Sequence, residues 1–335
     1  MKIAIVKLSA LGDIVHAMVA LQFIKQASAD IQIDWLVEES FAGILQDNPD
    51  INQILTVNLK ALKKNKIGVI KEFNKIKQYA NNNYDLVIDA QGLIKSALVA
   101  RLLSRHTAGF DKQSIREKLA TKLYKTTVSI PYDANTIDRN ATVIAQPLGI
   151  NISQQQILDK SPFLFSHNLD DLDTYFPMDK PNVLFVIGST WPSRNYPKEK
   201  YLHIIEALNT NSLIIWGNKQ EHEDAKWIAN RTKKAIIIPK MSLNDLKSTI
   251  KHANLVIGND TGPTHMAWGF NKPSITLFGP TPVSRVYQTS INKVLKSSSA
   301  VNPFKLNKKD FSIQDIKEST IAELAYSLLD MQNNL

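Results

Sequence analysis

Short apolar runs recur along the chain, and each is followed by a polar loop and then by a segment of helical periodicity. The runs lie at residues 2–6, 31–37, 54–57, 86–88, 183–187, 213–216, 235–238, 255–257 and 274–278. Short runs of this kind, bounded by glycine, proline or polar residues, are typical of buried strands. Because the predicted strands alternate with helices, we predict an α/β protein with parallel sheets.

Two of the predicted helices are amphipathic. Residues 14–26 carry their apolar stripe at Ile14, Met18, Leu21 and Ile24, and residues 313–329 carry theirs at Ile316, Ile321, Leu324 and Leu328. Stripes of this spacing are typical of helices that bury one face against the rest of the fold.

The chain divides into two parts of similar pattern. Residues 84–96 and 254–267 both place Leu-Val-Ile before a polar loop that holds a glycine, and both continue into a helix. This weak repeat predicts two similar α/β domains. Residues 160–180 are polar and lack a sheet pattern, so we place the linker there. We therefore predict domains at 1–165 and 180–312, with a C-terminal helix at 313–335 that packs back on the first domain.

Composition and charge narrow the class of protein. The 335 residues carry a formal net charge of +9 and no cysteine. The charge predicts an anionic partner, and nucleic acid is the weakest choice because no zinc finger or RNP-type motif is present. A chain without cysteine has no disulfide scaffold and no cysteine nucleophile. The apolar N-terminal run is too short for a signal peptide, and no window approaches the roughly 20 apolar residues of a membrane span. We therefore expect a cytoplasmic protein.

The most informative stretch is Asn254–Ala267. After the apolar run, Asp260 or Thr261 can cap a helix, and Gly262-Pro263 suits its first turn. The free N–H groups of such a helix and its dipole favour phosphate, and Asp260 and His265 lie beside them. An ordinary turn with Asp260 as a cap fits the same spacing. The aspartic-protease interpretation of Asp260-Thr-Gly262 requires a second such loop on an all-β lobe, and the chain has no second copy.

Two further loops follow predicted strands. Gly12 and Asp13 open the helix after the first strand, where open α/β sheets place their ligands, although Asp13 could equally be a helix cap. That loop has a single glycine, which disfavours a dinucleotide fingerprint and a dehydrogenase. After residues 183–187, Ser189, Thr190 and Arg194 are suited to phosphate oxygens.

Basic residues predict where an acidic ligand binds. Lys60, Lys63 and Lys64 directly follow the run at 54–57, and Arg116 and Arg139 lie on later segments. A metal site is not expected. The Asp171-Leu-Asp173 triplet lies in the polar linker rather than after a buried strand, and the histidines lack paired ligand spacing.

Five motifs together resemble the ADP-heptose:lipopolysaccharide heptosyltransferases, a family of GT-B glycosyltransferases. They are Val6–His16, Asp34–Glu39, Asp89–Ser96, Pro239–Leu243 and Asn259–His265. They span nearly the whole chain in the family's order, and the second and third favour the heptosyltransferase I branch over the heptosyltransferase II branch. The resemblance implies two facing Rossmann-like domains with parallel sheets and an interdomain cleft.

The resemblance also implies an activity. Members transfer heptose from ADP-heptose to the Kdo sugar (3-deoxy-D-manno-octulosonate) of Kdo-lipid A, in lipopolysaccharide inner-core synthesis, with inversion and without a metal or other cofactor. It makes the first domain acceptor-binding and the second nucleotide-sugar-binding, at the cytoplasmic face of the inner membrane as a peripheral protein. A GT-B sugar-nucleotide epimerase or hydrolase and a non-catalytic nucleotide-sugar binding protein remain as alternatives.

The implied roles fall on residues of the first, fourth and fifth motifs and on residues between the motifs. Asp13 corresponds to the catalytic base. The implied donor-binding residues are Ser189, Thr190 and Arg194 at the diphosphate, Glu221 at the ribose, Met241 near the adenine, and Asp260, Thr261, Gly262 and His265. The implied acceptor-binding residues are Ser9, Gly12, Lys60, Lys63, Lys64, Arg116 and Arg139. Relatives usually carry a Thr-Thr pair and a lysine where this chain has Ser189-Thr190 and Arg194, and arginine where it has the lysine cluster.

Overall fold

A computed structural model describes residues 1–59, 66–168 and 175–333. The chain forms two compact units, Met1–Phe165 and Ser166–Leu335. The first unit ends at the residue where we predicted the end of the first domain. Lys60, Lys63 and Lys64 lie outside the described residues, as do Asp171 and Asp173 of the linker.

Unit 1 contains a parallel sheet of six strands in the order β3-β2-β1-β4-β5-β6. The strands are β1 Lys2–Val6, β2 Gln32–Glu38, β3 Gln53–Val57, β4 Leu86–Asp89, β5 Thr107–Phe110 and β6 Thr126–Val128. The helices are α1 Leu11–Ala27, α2 Lys66–Ala80, α3 Ile94–Leu103, α4 Thr136–Ala145 and α5 Gln154–Leu158. Helices α1 and α4 pack together, as do α2 and α3.

Unit 2 repeats this plan with the strand order β12-β11-β10-β7-β8-β9, again all parallel. Its strands are β7 Asn182–Val186, β8 Asn211–Ile215, β9 Ala235–Ile237, β10 Leu255–Asn259, β11 Ser274–Phe278 and β12 Asn292–Lys296. Its helices are α6 Lys198–Ala207, α7 Lys219–Ala229, α8 Leu243–His252, α9 Gly262–Gly269 and α10 Glu318–Asn333. The predicted α/β fold with parallel sheets is confirmed.

Three strands were not predicted: β5, β6 and β12. Strands β6 and β12 are sheet edges, where polar residues are tolerated, and β12 carries Lys293 and Lys296. In β5, Gly109 interrupts the apolar pattern because the Tyr124 ring lies against it, 2.5 Å from the position that a Cβ would take. The signals of these strands were therefore too weak to separate them from loops.

The expected position of the C-terminal helix is wrong. Helix α10 packs against α6, β10 and β11 of unit 2, and Ile321, Ala325 and Leu328 are buried in the core of that unit. A hydrogen bond of 2.7 Å from Tyr326 Oη to the Ala207 carbonyl fixes it at the end of α6. The apolar stripe of this helix was predicted, but helical periodicity does not reveal against which part of the protein a stripe packs. Among the described residues, no helix has both the length and the apolar character needed to cross a bilayer.

Candidate active site

In unit 2 the order in which the chain adds strands to the sheet reverses between β7 and β10. These strands are neighbours, but the chain leaves β7 toward β8 on one side and leaves β10 toward β11 on the other. Loops at the carboxyl ends of two such strands diverge and open a crevice, which is where open α/β sheets bind ligands. The loop Ile187–Tyr196 follows β7, and Asp260-Thr261 follows β10, so the predicted phosphate loops meet at this switch point.

Asp260 is the centre of a buried polar network at the switch point. Its Oδ1 is 2.9 Å from His265 Nε2, and its Oδ2 accepts a hydrogen bond of 2.8 Å from Thr281 Oγ1. Arg194 Nη2 is 3.2 Å from the same Oδ2, and Arg285 Nη1 is 4.0 Å away. Two cations, a histidine and a hydroxyl from three separate segments therefore converge on one carboxylate.

The surroundings of Asp260 keep it ionised. Burial alone would raise its pKa, but the hydrogen bond with His265 and the charges of Arg194 and Arg285 outweigh burial and hold the pKa far below its ordinary value. The carboxylate thus acts as a fixed negative charge between two guanidinium groups. Two guanidinium groups face this single carboxylate beside the start of α9, an arrangement that suits an anionic ligand.

Asn259 joins the two loops of the switch point. Its Nδ2 donates to the Ile187 carbonyl at 2.9 Å, and its Oδ1 accepts from the Tyr196 N–H at 3.0 Å and from Tyr201 Oη at 3.2 Å. Both ends of the Ile187–Tyr196 loop are therefore attached to the last residue of β10. Because Ser189, Thr190 and Arg194 lie within this loop, their positions relative to α9 are fixed.

Glycines allow this close assembly. At Gly258 a Cβ would lie 2.5 Å from Val186 Cβ and 2.7 Å from Thr264 Oγ1, so a side chain would separate β10 from β7 or displace α9. At Gly188 a Cβ would lie 2.0 Å from Glu221 Cδ. Glu221 therefore lies directly over the loop after β7.

A pocket of about 400 Å³ is lined by Ser189 and Thr190 on one side and by Glu221 on another. The Glu221 carboxylate accepts from the Gly217 N–H and from Asn218 Nδ2, both at 2.6 Å. These bonds hold the carboxylate at the carboxyl ends of β7 and β8. Three of the residues implied for donor binding are thus brought together in one pocket.

Met241 lies farther along the same sheet edge. It follows β9, immediately before Ser242 caps α8, and it is half-buried with its sulfur 3.1 Å from Thr249 Oγ1. The assignment of Met241 to the adenine stays a prediction. Thr261 and Gly262 start α9, where Thr261 occupies the cap position without a side-chain capping bond.

Unit 1 has its own switch point, between β1 and β4. The loop after β1 is held by Gln91 from the loop after β4, whose Oε1 accepts from the N–H groups of Leu8 and Ser9 at 3.0 and 2.9 Å. Asp13 lies in the first turn of α1 and is half-buried. Its Oδ2 accepts from the Ala10 N–H at 3.3 Å, and Oδ1 has no hydrogen-bond partner in the described part of the chain.

A buried lysine lies behind Asp13. Lys7 is 6% exposed and its Nζ donates to the Ala90 carbonyl at 2.9 Å, which links the ends of β1 and β4. Burial lowers the pKa of Lys7, while the nearby carboxylates of Asp13 and Asp89 act to raise it. Lys7 thus lies close enough to Asp13 to interact with it electrostatically, while its Nζ supports the backbone at the end of β4.

Asp89 holds the loop after β4 in shape. Its Oδ1 accepts from the N–H groups of Gln91 and Gly92, and its Oδ2 accepts from Ser96 Oγ and Tyr124 Oη at 2.8 and 2.7 Å. Gly92 has φ +69°, a conformation that favours glycine. These contacts orient Gln91, so Asp89 supports the loop rather than facing a ligand.

The residues implied for acceptor binding are only partly assembled. Ser9 and Gly12 adjoin Asp13 and are half-buried. Arg116 has 71% of its side chain exposed, with Nη2 3.8 Å from Glu117 Oε1. Arg139 lies over the Phe110 ring, and its guanidinium group donates to the backbone carbonyls of Ser114, Ile130 and Pro131. Much of its hydrogen-bonding capacity therefore stabilises the fold. The ligand role of Arg139 stays a prediction.

Several residues of both switch points were not singled out from the sequence. Thr281 and Arg285 reach Asp260 from the segment after β11, Asn259 joins the two loops of unit 2, and Lys7 and Gln91 support Asp13. Lys7, Gln91 and Asn259 lie within motifs at the ends of strands, which was the available signal, whereas Thr281 and Arg285 lie in the segment after β11 and belong to no motif. Among the residues that the structure describes, no group of three or more histidine, aspartate or glutamate side chains is arranged to hold a metal ion.

Known proteins resemble the chain in sequence. The family described as glycosyltransferase family 9 (heptosyltransferase) matches residues 73–318. Lipopolysaccharide heptosyltransferase 1 of Campylobacter coli is 38% identical over 343 residues, which cover 98% of this chain and 99% of the relative. Lipopolysaccharide heptosyltransferase 1 of Escherichia coli K12 is 31% identical and covers 92% of this chain and 97% of its own length.

The fold resembles a solved structure equally well. The structure of E. coli heptosyltransferase WaaC with ADP-2-deoxy-2-fluoro heptose matches with a TM-score of 0.80 and 26% sequence identity, covering 98% of this chain and 99% of that one. The match extends over both units.

Proposed function

Because the chain belongs to glycosyltransferase family 9, the heptosyltransferases, we propose that it transfers heptose from ADP-heptose to the Kdo of Kdo-lipid A. The resemblance to the heptosyltransferase I branch is confirmed, and the chain is a glycosyltransferase of lipopolysaccharide core synthesis. The proposal adds the acceptor, inversion at the anomeric carbon and a reaction without a metal.

The observation that carries the proposal is the Asp260 network at the switch point of unit 2. A carboxylate held by His265 on one oxygen and faced by Arg194 and Arg285 on the other arranges two cations beside the start of α9. Cations and helix N–H groups are what a nucleotide diphosphate requires. The adjoining pocket with Ser189, Thr190 and Glu221 offers hydroxyls for phosphate oxygens and a carboxylate for ribose hydroxyls.

The same groups suit the transition state. When the bond between heptose and ADP breaks, negative charge develops on the departing diphosphate. Arg194, Arg285 and the first N–H groups of α9 can stabilise this charge without reorganisation. In the proposed reaction these protein groups supply the positive charge that a metal supplies in other transferases.

Asp13 is the proposed base. An acceptor hydroxyl attacks the anomeric carbon from the side opposite ADP, which inverts that centre, and its proton passes to a carboxylate. The Asp13 Oδ1 is available to accept it, while the bond from the Ala10 N–H holds Oδ2 in place.

The acceptor side is proposed for unit 1. Ser9 and Gly12 adjoin Asp13, and exposed Arg116 can meet a Kdo carboxylate or a lipid A phosphate. Lys60, Lys63 and Lys64 are proposed for the same anionic groups from their sequence position. With a lipid acceptor, we propose a cytoplasmic protein that acts peripherally at the inner membrane.

The test is ADP release from ADP-heptose, measured with and without Kdo-lipid A. The proposal predicts release only when the acceptor is present, and addition of EDTA should leave the rate unchanged. The anomeric configuration of the product, read by NMR coupling constants, should be the opposite of the donor's. Release without acceptor would instead favour a sugar-nucleotide hydrolase, and tight ADP-heptose binding without any release would favour a binding protein.

A further inference from the structure

Large apolar side chains are exposed on three neighbouring elements of unit 1. They occur on α2, on α3 and on the 3-10 turn Lys118–Leu123. Ile70 is 66% exposed, Leu98 50% and Leu119 63%. Val69, Phe73 and Ile94 are exposed on the same elements. Exposed apolar groups that cluster in this way mark interaction sites more often than isolated ones do.

The three elements form one layer. Helix α2 packs on α3, and α3 packs on the turn Lys118–Leu123. Their inner residues, such as Ile76 of α2 and Val99 and Leu103 of α3, are buried in one core cluster with β1 and β4. The exposed side chains therefore lie on the side of the layer that faces away from the sheet. We refer to α2, α3 and the turn Lys118–Leu123 as the outer layer.

The charge of the outer layer is almost wholly positive. Its basic residues are Lys66, Lys71, Lys75, Lys77, Lys95, Arg101, Lys118 and Lys122. Its one acidic residue is Glu72, which is buried and accepts a hydrogen bond of 2.9 Å from the Asn58 N–H. The adjoining Glu117 is half-buried and accepts from the Ile94 N–H at 2.8 Å, so it caps α3.

Unit 2 provides the contrast. Helix α10 also exposes large apolar side chains, Tyr326 and Met331, but its charged residues are Glu318, Glu323 and Asp330. The combination of exposed apolar and basic groups without exposed acids is thus a property of the outer layer, not of every surface helix. The basic residues of such a surface favour binding to a negatively charged partner. Its exposed apolar side chains favour a partner into which they can be buried, such as the interface of a lipid bilayer.

We propose that the outer layer docks unit 1 on an anionic lipid bilayer, with Ile70, Leu98 and Leu119 entering the interface and the lysines meeting lipid headgroups. This inference rests on the proposed function, since it gives a lipid-linked acceptor a route to the site. Helix α3 begins directly after the loop that carries Gln91, and Gln91 holds Ser9 beside Asp13. A headgroup at the start of α3 would therefore lie near the switch point of unit 1.

The test is flotation of the full chain with vesicles of phosphatidylcholine alone and of equal parts phosphatidylcholine and phosphatidylglycerol. We expect strong preference for the anionic vesicles, lost in high salt because the lysine contribution is screened. Ile70→Ser combined with Leu119→Ser should lower the partition coefficient about tenfold or more, since both apolar side chains would no longer be buried. The matched control, Met178→Ser with Met331→Ser, removes exposed apolar groups from unit 2 and should leave binding unchanged.

A charge variant tests the second component. Lys95→Glu combined with Lys122→Glu should lower binding to anionic vesicles by at least about tenfold, because each lysine at such a surface contributes about fivefold. Unchanged melting temperatures would verify that the variants fold. ADP affinity should stay at the wild-type value in every variant, whereas transfer to vesicle-embedded acceptor should fall with binding.

Vesicle binding needs no turnover, so the surface is tested even if the proposed transfer fails. Equal binding by the Ile70→Ser/Leu119→Ser variant and its control would overturn the proposal, as would equal binding of wild type to both kinds of vesicle. A smaller sedimentation coefficient of that variant, without vesicles, would assign the surface to a second copy of the chain and would also overturn it.

Discussion

The two switch points of this protein have the same topology but differ in how their carboxylates are held. In unit 2, Asp260 is buried and both of its oxygens are engaged by side chains: His265 of the adjoining helix on Oδ1, and Thr281 and Arg194 from more distant segments on Oδ2. In unit 1, Asp13 is half-buried and is held by one backbone N–H, three residues before it. A carboxylate that holds two guanidinium groups in place for an anionic ligand benefits from burial and many partners. A base that must receive a proton needs an available oxygen.

The difference implies that substitutions at the two sites should affect different quantities. Loss of the Asp260 carboxylate should disturb the fold and donor binding, because His265, Thr281 and Arg194 would lose their common partner. Loss of Asp13 should disturb turnover, because few contacts depend on it.

The largest effect should come from Asp13→Asn. The amide keeps the shape but cannot accept a proton, so turnover should fall by about a hundredfold to ten-thousandfold. Steady-state ADP release with saturating acceptor measures it. Asp30→Asn, at an exposed carboxylate after α1, is the control and should behave as wild type. Turnover within tenfold of wild type would rule out Asp13 as the base.

Asp260→Asn should lower stability. Removing one partner of a buried ion pair leaves Arg194 uncompensated and should cost about 3–5 kcal/mol in the free energy of unfolding. Urea denaturation measures it. Asp224→Asn is the control, because its pair with Lys198 at 2.8 Å is partly exposed and should contribute at most about 1 kcal/mol. Similar losses in both variants would contradict the burial argument.

The difference in the free energy of unfolding between wild type and Asp260→Asn should depend on pH. The folded pKa of Asp260 is lowered, so its stabilising contribution is fully present above the unfolded pKa of about 3.9 and is lost as the pH falls toward the folded pKa. The stability difference between wild type and Asp260→Asn should therefore be constant from neutral pH down to about pH 5 and shrink below about pH 4. A difference that shrinks already between pH 8 and 6 would show that another group controls it.

The smallest effect should come from Glu221→Ala. If Glu221 accepts from the ribose, its loss should weaken ADP binding by about 0.5–1.5 kcal/mol and leave the binding of inorganic pyrophosphate unchanged. Competition of both ligands with a fluorescent nucleotide provides the comparison. Glu223→Ala, on the same helix, is the matched control. Equal weakening of ADP and pyrophosphate would place Glu221 at the phosphates instead.

Local parts of this architecture could be predicted from sequence. Asp260 and His265 are close in the chain, so a strand-loop-helix pattern was enough to bring them together. Asp13 was placed at the start of α1 for the same reason. The helical stripe of α10 was visible too, although the layer it covers was not.

Long-range contacts could not be predicted. Arg194 meets Asp260 only because β7 and β10 are neighbours in the sheet, and strand order is not encoded in local periodicity. Arg285 and Thr281 reach the same carboxylate from after β11 for a similar reason. The contacts of Arg139 could not be predicted either. Its charge suggested an acidic ligand, and in the structure its guanidinium group also donates to backbone carbonyls. Composition gives the presence of a cation but not its partners.

The most direct test of a donor site in unit 2 and a base in unit 1 is ADP affinity, measured by calorimetry on Asp13→Asn and Arg194→Ala. We predict that Asp13→Asn binds ADP like wild type, whereas Arg194→Ala loses about 1.5–3 kcal/mol, the contribution of hydrogen bonds to a charged group. Loss of ADP affinity in Asp13→Asn together with unchanged affinity in Arg194→Ala would contradict this assignment.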